Sequence, residues 1–203
     1  MNLQLFTGFI ALYELANYLY PLDPRKSTRV FSIIFCTHII KVALSALRYD
    51  DYGDSFANGL SLGHYYCAVD SYLVLSNYKK FKGTVTEILF HHLVFYFTLN
   101  PEFRQYLAFG LLCEGSTILL NIGYFMIKAG YHKGLCFQIL SVFIWILFLV
   151  FRIISFPLIT YYSPISIKRK IPIIPVIALN YAWFWKITKK LIEQYRGQEI
   201  DYN

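Results

Sequence analysis

Two adjacent imidazoles, His91 and His92, stand inside the apolar run 84–99. An ionisable side chain at membrane depth is costly, so it marks a functional site or a structural pairing. Further along, Glu114, Ser116, Thr117 and Asn121 interrupt the run 103–127. An imidazole can serve as general base or nucleophile, and a carboxylate can orient it. Glu87, one turn before His91, is spaced to fix the imidazole tautomer or raise its basicity. Neighbouring helical residues point about 100° apart, so only one of the two histidines can face a given ligand squarely. His91, His92 and Glu114 are therefore the candidate catalytic residues, should the protein be an enzyme. His38, Asp70, Thr117, Asn121, Arg152 and Asn180 are the candidate ligand-binding or cavity-lining residues.

The elements that must position them are apolar runs. They cover residues 3–20, 30–47, 56–76, 84–99, 103–127, 135–161 and 171–192. Of the 203 residues 57% are hydrophobic and only 15% charged. Soluble domains are about a quarter charged, so this chain is solvated by lipid. A helix needs about 20 residues to cross the hydrocarbon core. Backbone groups in lipid must be satisfied within the segment, which leaves helices as the reading of runs this long. The expectation is an all-α polytopic membrane protein of about seven spans, or six if the first run lies at the interface.

Within those spans the polar residues fall on shared faces. His38 and Lys41 are three apart, and Tyr66 and Asp70 four apart. Glu114, Thr117 and Asn121 draw a single stripe. Arg152 lies shortly before Pro157, and Asn180, Trp183 and Lys186 share one side. The structural readings are plain. Arg152 neutralises Glu114 or Asp70, because an unpaired charge there would be very costly. Asn121 and Asn180 are interhelical hydrogen-bond partners. Trp183, Trp185 and Lys186 are interfacial anchors, and His64 and His132 sit near span ends.

Charge between the runs sets an orientation. Twelve of the 19 basic residues fall on one side: Arg25, Lys26 and Arg29, then Lys79, Lys80 and Lys82, then Lys128 and Lys133, and finally Lys186, Lys189, Lys190 and Arg196. Arg48, Arg104, Lys168, Arg169 and Lys170 take the other. The positive-inside rule then puts the C-terminus in the cytosol and the N-terminus in the lumen or outside. That asymmetry accounts for the net charge of +7 without any nucleic-acid partner. Cys36, Cys67, Cys113 and Cys136 are scattered singly and suggest neither disulfides nor zinc. Five histidines without HxxH spacing fall short of a di-iron site, and no metal or other cofactor is expected. Short connections leave no room for a soluble catalytic domain, so any chemistry belongs to the helices.

The ordered pieces resemble a known family. Residues 32–38, Gly63-His64-Tyr65-Tyr66 followed by Asp70, the His91-His92 pair, and Cys113-Glu114-Gly115-Ser116-Thr117 with Asn121 come first. Arg152 with Pro157, and the stretch from Asn180 to Ile187, complete the order. Together they are similar to the TLC (TRAM/LAG1/CLN8) domain family, over about residues 29–190. The resemblance implies six helices bundled around a central cavity, preceded by one extra helix. It also implies residence in the endoplasmic reticulum or a related endomembrane, and business with lipids. The division it suggests is an N-terminal helix and loop over 1–28, a TLC domain over 29–192 and a cytosolic tail over 193–203. Ceramide synthases of that family carry, after the His pair, a His-Asp with a second Asp three residues on and a Glu four after that. The matching positions here are Cys113, Glu114, Thr117 and Asn121, so only one acid is kept in kind. The chain thus looks more like the small TLC-domain-containing proteins.

Three functions follow from different classes. The leading one is a non-enzymatic membrane protein that binds a lipid or acyl chain in its bundle and influences membrane lipid composition, with homo-oligomerisation left open. The second is a divergent acyl-CoA-dependent acyltransferase in which His91 or His92 is nucleophile or base, Glu114 orients it and Arg152 binds an acidic group. The third is a membrane cargo receptor. A transporter is a further alternative, since Asp70, Glu87 and Glu114 could carry protons, and the absence of internal repeats argues mildly against it.

Overall fold

A computed structural model describes residues 7, 10, 11, 14, 23–96 and 104–196. The expected extra N-terminal helix therefore lies almost wholly outside the described residues. Among those described there is no strand. The helices gather into two compact units, Met1–Gln105 and Tyr106–Asn203.

The first unit is built on α1 (Pro24–Tyr49), α2 (Asp54–Ser76) and α3 (Val85–Tyr96). Helix α1 begins six residues before its apolar run because capping, not hydropathy, sets its start. The Asp23 side chain accepts from the Arg25 N–H at 3.1 Å, and Pro24 occupies the first turn, where its missing N–H costs nothing. It ends at Asp50, which takes a left-handed conformation (φ 51°) that Asp tolerates better than most residues. Helix α2 closes on Asn77, whose amide nitrogen donates to the Leu73 carbonyl at 3.0 Å. A single turn, Tyr78–Phe81, and the left-handed Gly83 connect α2 to α3.

Close approach of these helices rests on two glycines four residues apart on α2. A Cβ at Gly59 would stand 2.6 Å from a Val42 methyl of α1. One at Gly63 would stand 2.8 Å from the Phe95 ring of α3. Small residues at this spacing let membrane helices touch backbone to side chain, where packing replaces the absent hydrophobic drive. The opening this leaves holds Phe35, stacked on Tyr66 at 4.1 Å between ring centroids. Val69 and Leu73 form a small buried cluster against which Phe31 and Ile10 pack.

The second unit contains α4 (its part beyond residue 105; the helix runs Arg104–Leu111), α5 (Glu114–Lys128), α6 (Leu135–Leu147), α7 (Phe156–Tyr162) and α8 (Ile174–Tyr195). Between α6 and α7 the chain widens into a π-helical segment, Phe148–Ser155. Its cause is at hand. Pro157 has no N–H, and its ring crowds the carbonyl one turn before it. The preceding turn relaxes outward, and the Phe156 N–H reaches the carbonyl of Phe151, five residues back.

Among the described residues four helices are long and apolar enough to cross a membrane: Pro24–Tyr49, Arg104–Lys128, Leu135–Tyr162 and Ile171–Tyr195. Helix α2 has the length, with His64, Asp70 and several Ser, Gly and Tyr residues diluting its apolar character. The run 84–99 continues past α3 into residues outside the described ones. The four spans bury between 11% and 33% of their most apolar windows, so most of their apolar surface faces outward. Ile34, Leu44, Ile139 and Phe143 are each more than half exposed. A surface of this kind is solvated by lipid tails, and the protein is an integral membrane protein.

Because Val42 is β-branched and stiff, it has little room to yield to a side chain at Gly59. Gly59→Ala should destabilise the first unit by about 1–3 kcal/mol through overpacking. Ser61→Ala, on the exposed side of the same helix, should stay within about 0.5 kcal/mol of the parent. Denaturation midpoints in one detergent compare the two; equal midpoints would remove the glycines from the account.

Candidate functional site

Among the described residues the buried Asp, His and Arg side chains fall in two places, one in each unit. In the second unit the centre is Arg152, 3% exposed, on the widened segment. Its Nε donates to Ser116 Oγ at 3.0 Å, and its Nη1 to Asn180 Oδ1 at 3.2 Å. Its Nη2 donates to Thr117 Oγ1 at 2.7 Å and to Glu114 Oε1 at 3.3 Å. Thr117 Oγ1 passes its own proton to Glu114 Oε2 at 2.8 Å, and Ser116 Oγ donates to the Cys113 carbonyl at 2.7 Å. The Phe148 ring lies beneath the guanidinium, 5.2 Å from Cζ to centroid.

Every member of this cluster is spoken for. The two charges cancel, and the fork geometry of Arg spreads its donors over α5 and α8. The expected stripe on α5 is present as Glu114 and Thr117 on Arg152, with Asn121 buried one turn on. Of the two carboxylates considered for Arg152, it is Glu114 that it meets. Helix α8 is held to α6 by Trp145 Nε1 donating to Thr188 Oγ1 at 2.9 Å, and to the widened segment by Phe148 stacked on Phe184.

The cluster of the first unit is smaller and less closed. His92 is 6% exposed and Asp70 7%. His92 Nε2 stands 3.5 Å from Asp70 Oδ2, and Ser71 Oγ lies 3.0 Å from His92 Nδ1. One tautomer serves both contacts: Nε2–H directed at Asp70, and Nδ1 accepting the Ser71 hydroxyl proton. With Nδ1 accepting, the imidazole is neutral, and a neighbouring cation is needed to offset the Asp70 carboxylate. The edge of the Tyr66 ring faces His92 at 6.1 Å between centroids, and Ser32 of α1 hydrogen-bonds to Tyr66. The Arg29 charge acts on Asp70. Asp70 Oδ1 is buried with no hydrogen-bond partner among the described residues.

The remaining candidates are placed as follows. His91 sits beside His92, ring centroids 6.0 Å apart. His38 is half-buried on α1, its Nε2 without a hydrogen-bond partner among the described residues, while Lys41 is exposed. His64 Nδ1 donates to the carbonyl of Leu60 in its own helix, at 2.8 Å, and the ring rests against Phe95. Among the described residues no three of His, Cys, Asp and Glu are grouped to hold a metal ion, and no disulfide joins the four cysteines.

A family model for the TLC domain matches residues 25–189. The chain belongs to the TLC domain family. Neither a curated protein nor a solved structure matches it. Both polar clusters of this TLC domain lie inside the matched range. Ser71 is the residue that sequence reasoning missed. It directly follows Asp70, and helical spacing gives no signal that two consecutive side chains will reach one imidazole.

Removing one partner of a buried ion pair leaves an uncompensated charge, which costs about 3–5 kcal/mol. Arg152→Met alone should therefore unfold the second unit's side of the TLC domain or lower its stability by that amount. The double variant Arg152→Met/Glu114→Met should recover most of the loss. Denaturation midpoints of the four combinations give the coupling; additive losses would mean the pair is not what holds Arg152 in place.

Proposed function

We infer that this TLC-domain membrane protein binds a membrane lipid or acyl chain among its helices and through it influences membrane lipid composition. The observation that carries the reading is the Asp70–Ser71–His92 cluster. Ionisable groups are expensive at this depth and persist where they serve a ligand, an ion path or a pairing. The Arg152 cluster is a pairing, complete in itself. The Asp70 cluster has an acceptor to spare: Oδ1 is buried beside an imidazole and takes no hydrogen among the described residues. A lipid amide or hydroxyl would supply that hydrogen, while its chains would be solvated by the apolar faces around it.

Membership of the TLC domain family supports the same direction through what the family resemblance implies, which is dealings with lipids. Residence in the endoplasmic reticulum or a related endomembrane belongs to this proposal. So does the orientation, with the N-terminus luminal and the C-terminus cytosolic, which rests on the twelve basic residues of the one side. The acyl-transfer scheme with Glu114 behind the histidine is not adopted. Glu114 is committed to Arg152 and Thr117, and the carboxylate beside His92 is Asp70.

Protein purified in a mild detergent should carry a co-purifying lipid, seen by native mass spectrometry. Occupancy should fall about tenfold or more in Asp70→Leu and in His92→Phe, the loss of one good polar contact being worth roughly 1.4 kcal/mol. A folded wild-type protein that carries no lipid, or variants that retain it undiminished, would rule the reading out.

A further inference from the structure

We propose that Ser71 is a nucleophile that accepts a fatty-acyl group from an ester or thioester, with His92 as its base and Asp70 orienting the imidazole. The proposal rests on the lipid-binding reading and gives it a reaction. Three observations carry it: Ser71 Oγ to His92 Nδ1 at 3.0 Å, His92 Nε2 to Asp70 Oδ2 at 3.5 Å, and the burial of both Asp70 and His92. Serine, imidazole and carboxylate in this order are the parts of an acyl-transfer triad, recognised by geometry and role whatever the fold. The ring is used in the opposite sense to the familiar arrangement, Nδ1 facing the hydroxyl and Nε2–H the carboxylate. The proton bookkeeping is the same.

Position along the helix fits the substrate. Ser71 lies five residues inside the Ser76 end of α2, or about 7–8 Å along the axis. The same end of the unit is basic and exposed at Arg25, Lys79, Lys80 and Lys82. Arg25 Nε donates to the Lys80 carbonyl, which fastens this collar to the start of α1. A phosphate on the acyl donor, whether a phospholipid headgroup or the carrier of a thioester, meets these charges while its chain lies along the helices.

The step balances without any oxidant or metal. As Ser71 Oγ attacks the acyl carbonyl carbon, its proton moves to His92 Nδ1. The tetrahedral intermediate collapses and expels the alcohol or thiol, which takes that proton. Ser71 is left esterified to the fatty acid. Water then adds to the new ester and gives its proton to Nδ1; the fatty acid leaves, and the proton returns to Ser71 Oγ. Asp70 holds Nε2–H and stabilises the imidazolium that forms between the two transfers. Asp70 and His92 thus prepare the hydroxyl, and Ser71 makes the bond.

The test uses the full chain in lipid nanodiscs. Three probes are added separately: a fluorophosphonate, phosphatidylcholine with an isotopically labelled acyl chain, and a labelled palmitoyl thioester. Peptide mass spectrometry locates any adduct. The expected result is a covalent adduct on Ser71, absent in Ser71→Ala and at least 100-fold slower to form in His92→Gln and Asp70→Asn. Ser71→Cys, with a thiol that the same base can activate, should form a longer-lived acyl adduct, and it guards against loss of fold in the alanine variant. The two acyl probes tell which donor is used, and an adduct from either one supports the proposal. Folded protein that holds lipid yet yields no adduct at residue 71 from any probe overturns it and leaves lipid binding intact. An adduct that forms equally fast without His92 or Asp70 overturns it as well. Absence of both adduct and bound lipid removes the underlying reading too.

Discussion

A charge cannot sit among lipid tails without a partner, and the second unit is arranged around meeting that requirement for Arg152. The guanidinium is 3% exposed, too deep for water to share the cost. Its hydrogens are taken by Ser116, Thr117 and Glu114 of α5 and by Asn180 of α8. Those acceptors must be close, so α5, α8 and the segment bearing Arg152 are tied at one level. The widened turns at Phe148–Ser155 belong to the same solution. Pro157 forces the preceding backbone outward, and the extra residue per turn changes the direction in which Arg152 leaves the helix. A proline placed for packing and an arginine placed for pairing thereby act together. Breaking either would leave a buried charge in search of a partner, and the apolar surroundings supply none.

The first unit handles charge differently, and the contrast separates structure from chemistry. Arg152 uses neighbours on two helices, and its carboxylate partner accepts from two donors, so the network is closed. Asp70 and His92 meet at a longer contact, 3.5 Å, and Asp70 Oδ1 remains without a hydrogen-bond partner among the described residues. A half-satisfied network in a dry place is worse for stability than an apolar one of the same volume. Under the proposed function, a ligand that arrives and completes it accounts for its retention. A saturated cluster has nothing left to offer a ligand; an unsaturated one does.

Much of the architecture was legible in the sequence because lipid imposes a simple rule on length and polarity. The runs 56–76 and 135–161 coincide with helices to within two residues, Asp54–Ser76 and Leu135–Tyr162. The run 30–47 fell short of α1 at its start, since Asp23 and Pro24 begin a helix through capping that hydropathy does not register. That Arg152 pairs with a buried carboxylate was legible from charge, with Glu114 and Asp70 both open; the structure gives Glu114. Three features were not. The π-helical segment depends on how one proline ring meets a carbonyl. The glycine contacts depend on which face of α2 meets α1 and α3. Ser71 depends on rotation as well: hydropathy tells how deep a residue lies, never which neighbour it faces.

That last point decides between the two histidines. They are adjacent, equally deep and chemically alike, so composition cannot rank them. The register of α3 against α2 does. Gly63 admits the Phe95 ring where any side chain would collide with it, and the contact fixes how far α3 is turned. His92 lies three residues before Phe95 and shares its face, which is the face toward α2. On α2, Asp70 follows Gly63 by seven residues, two turns along the same side. The imidazole that meets a carboxylate is therefore the one on the face that the glycine opened. Whatever chemistry His92 performs is set by a packing contact about two turns away, made by a residue with no side chain at all.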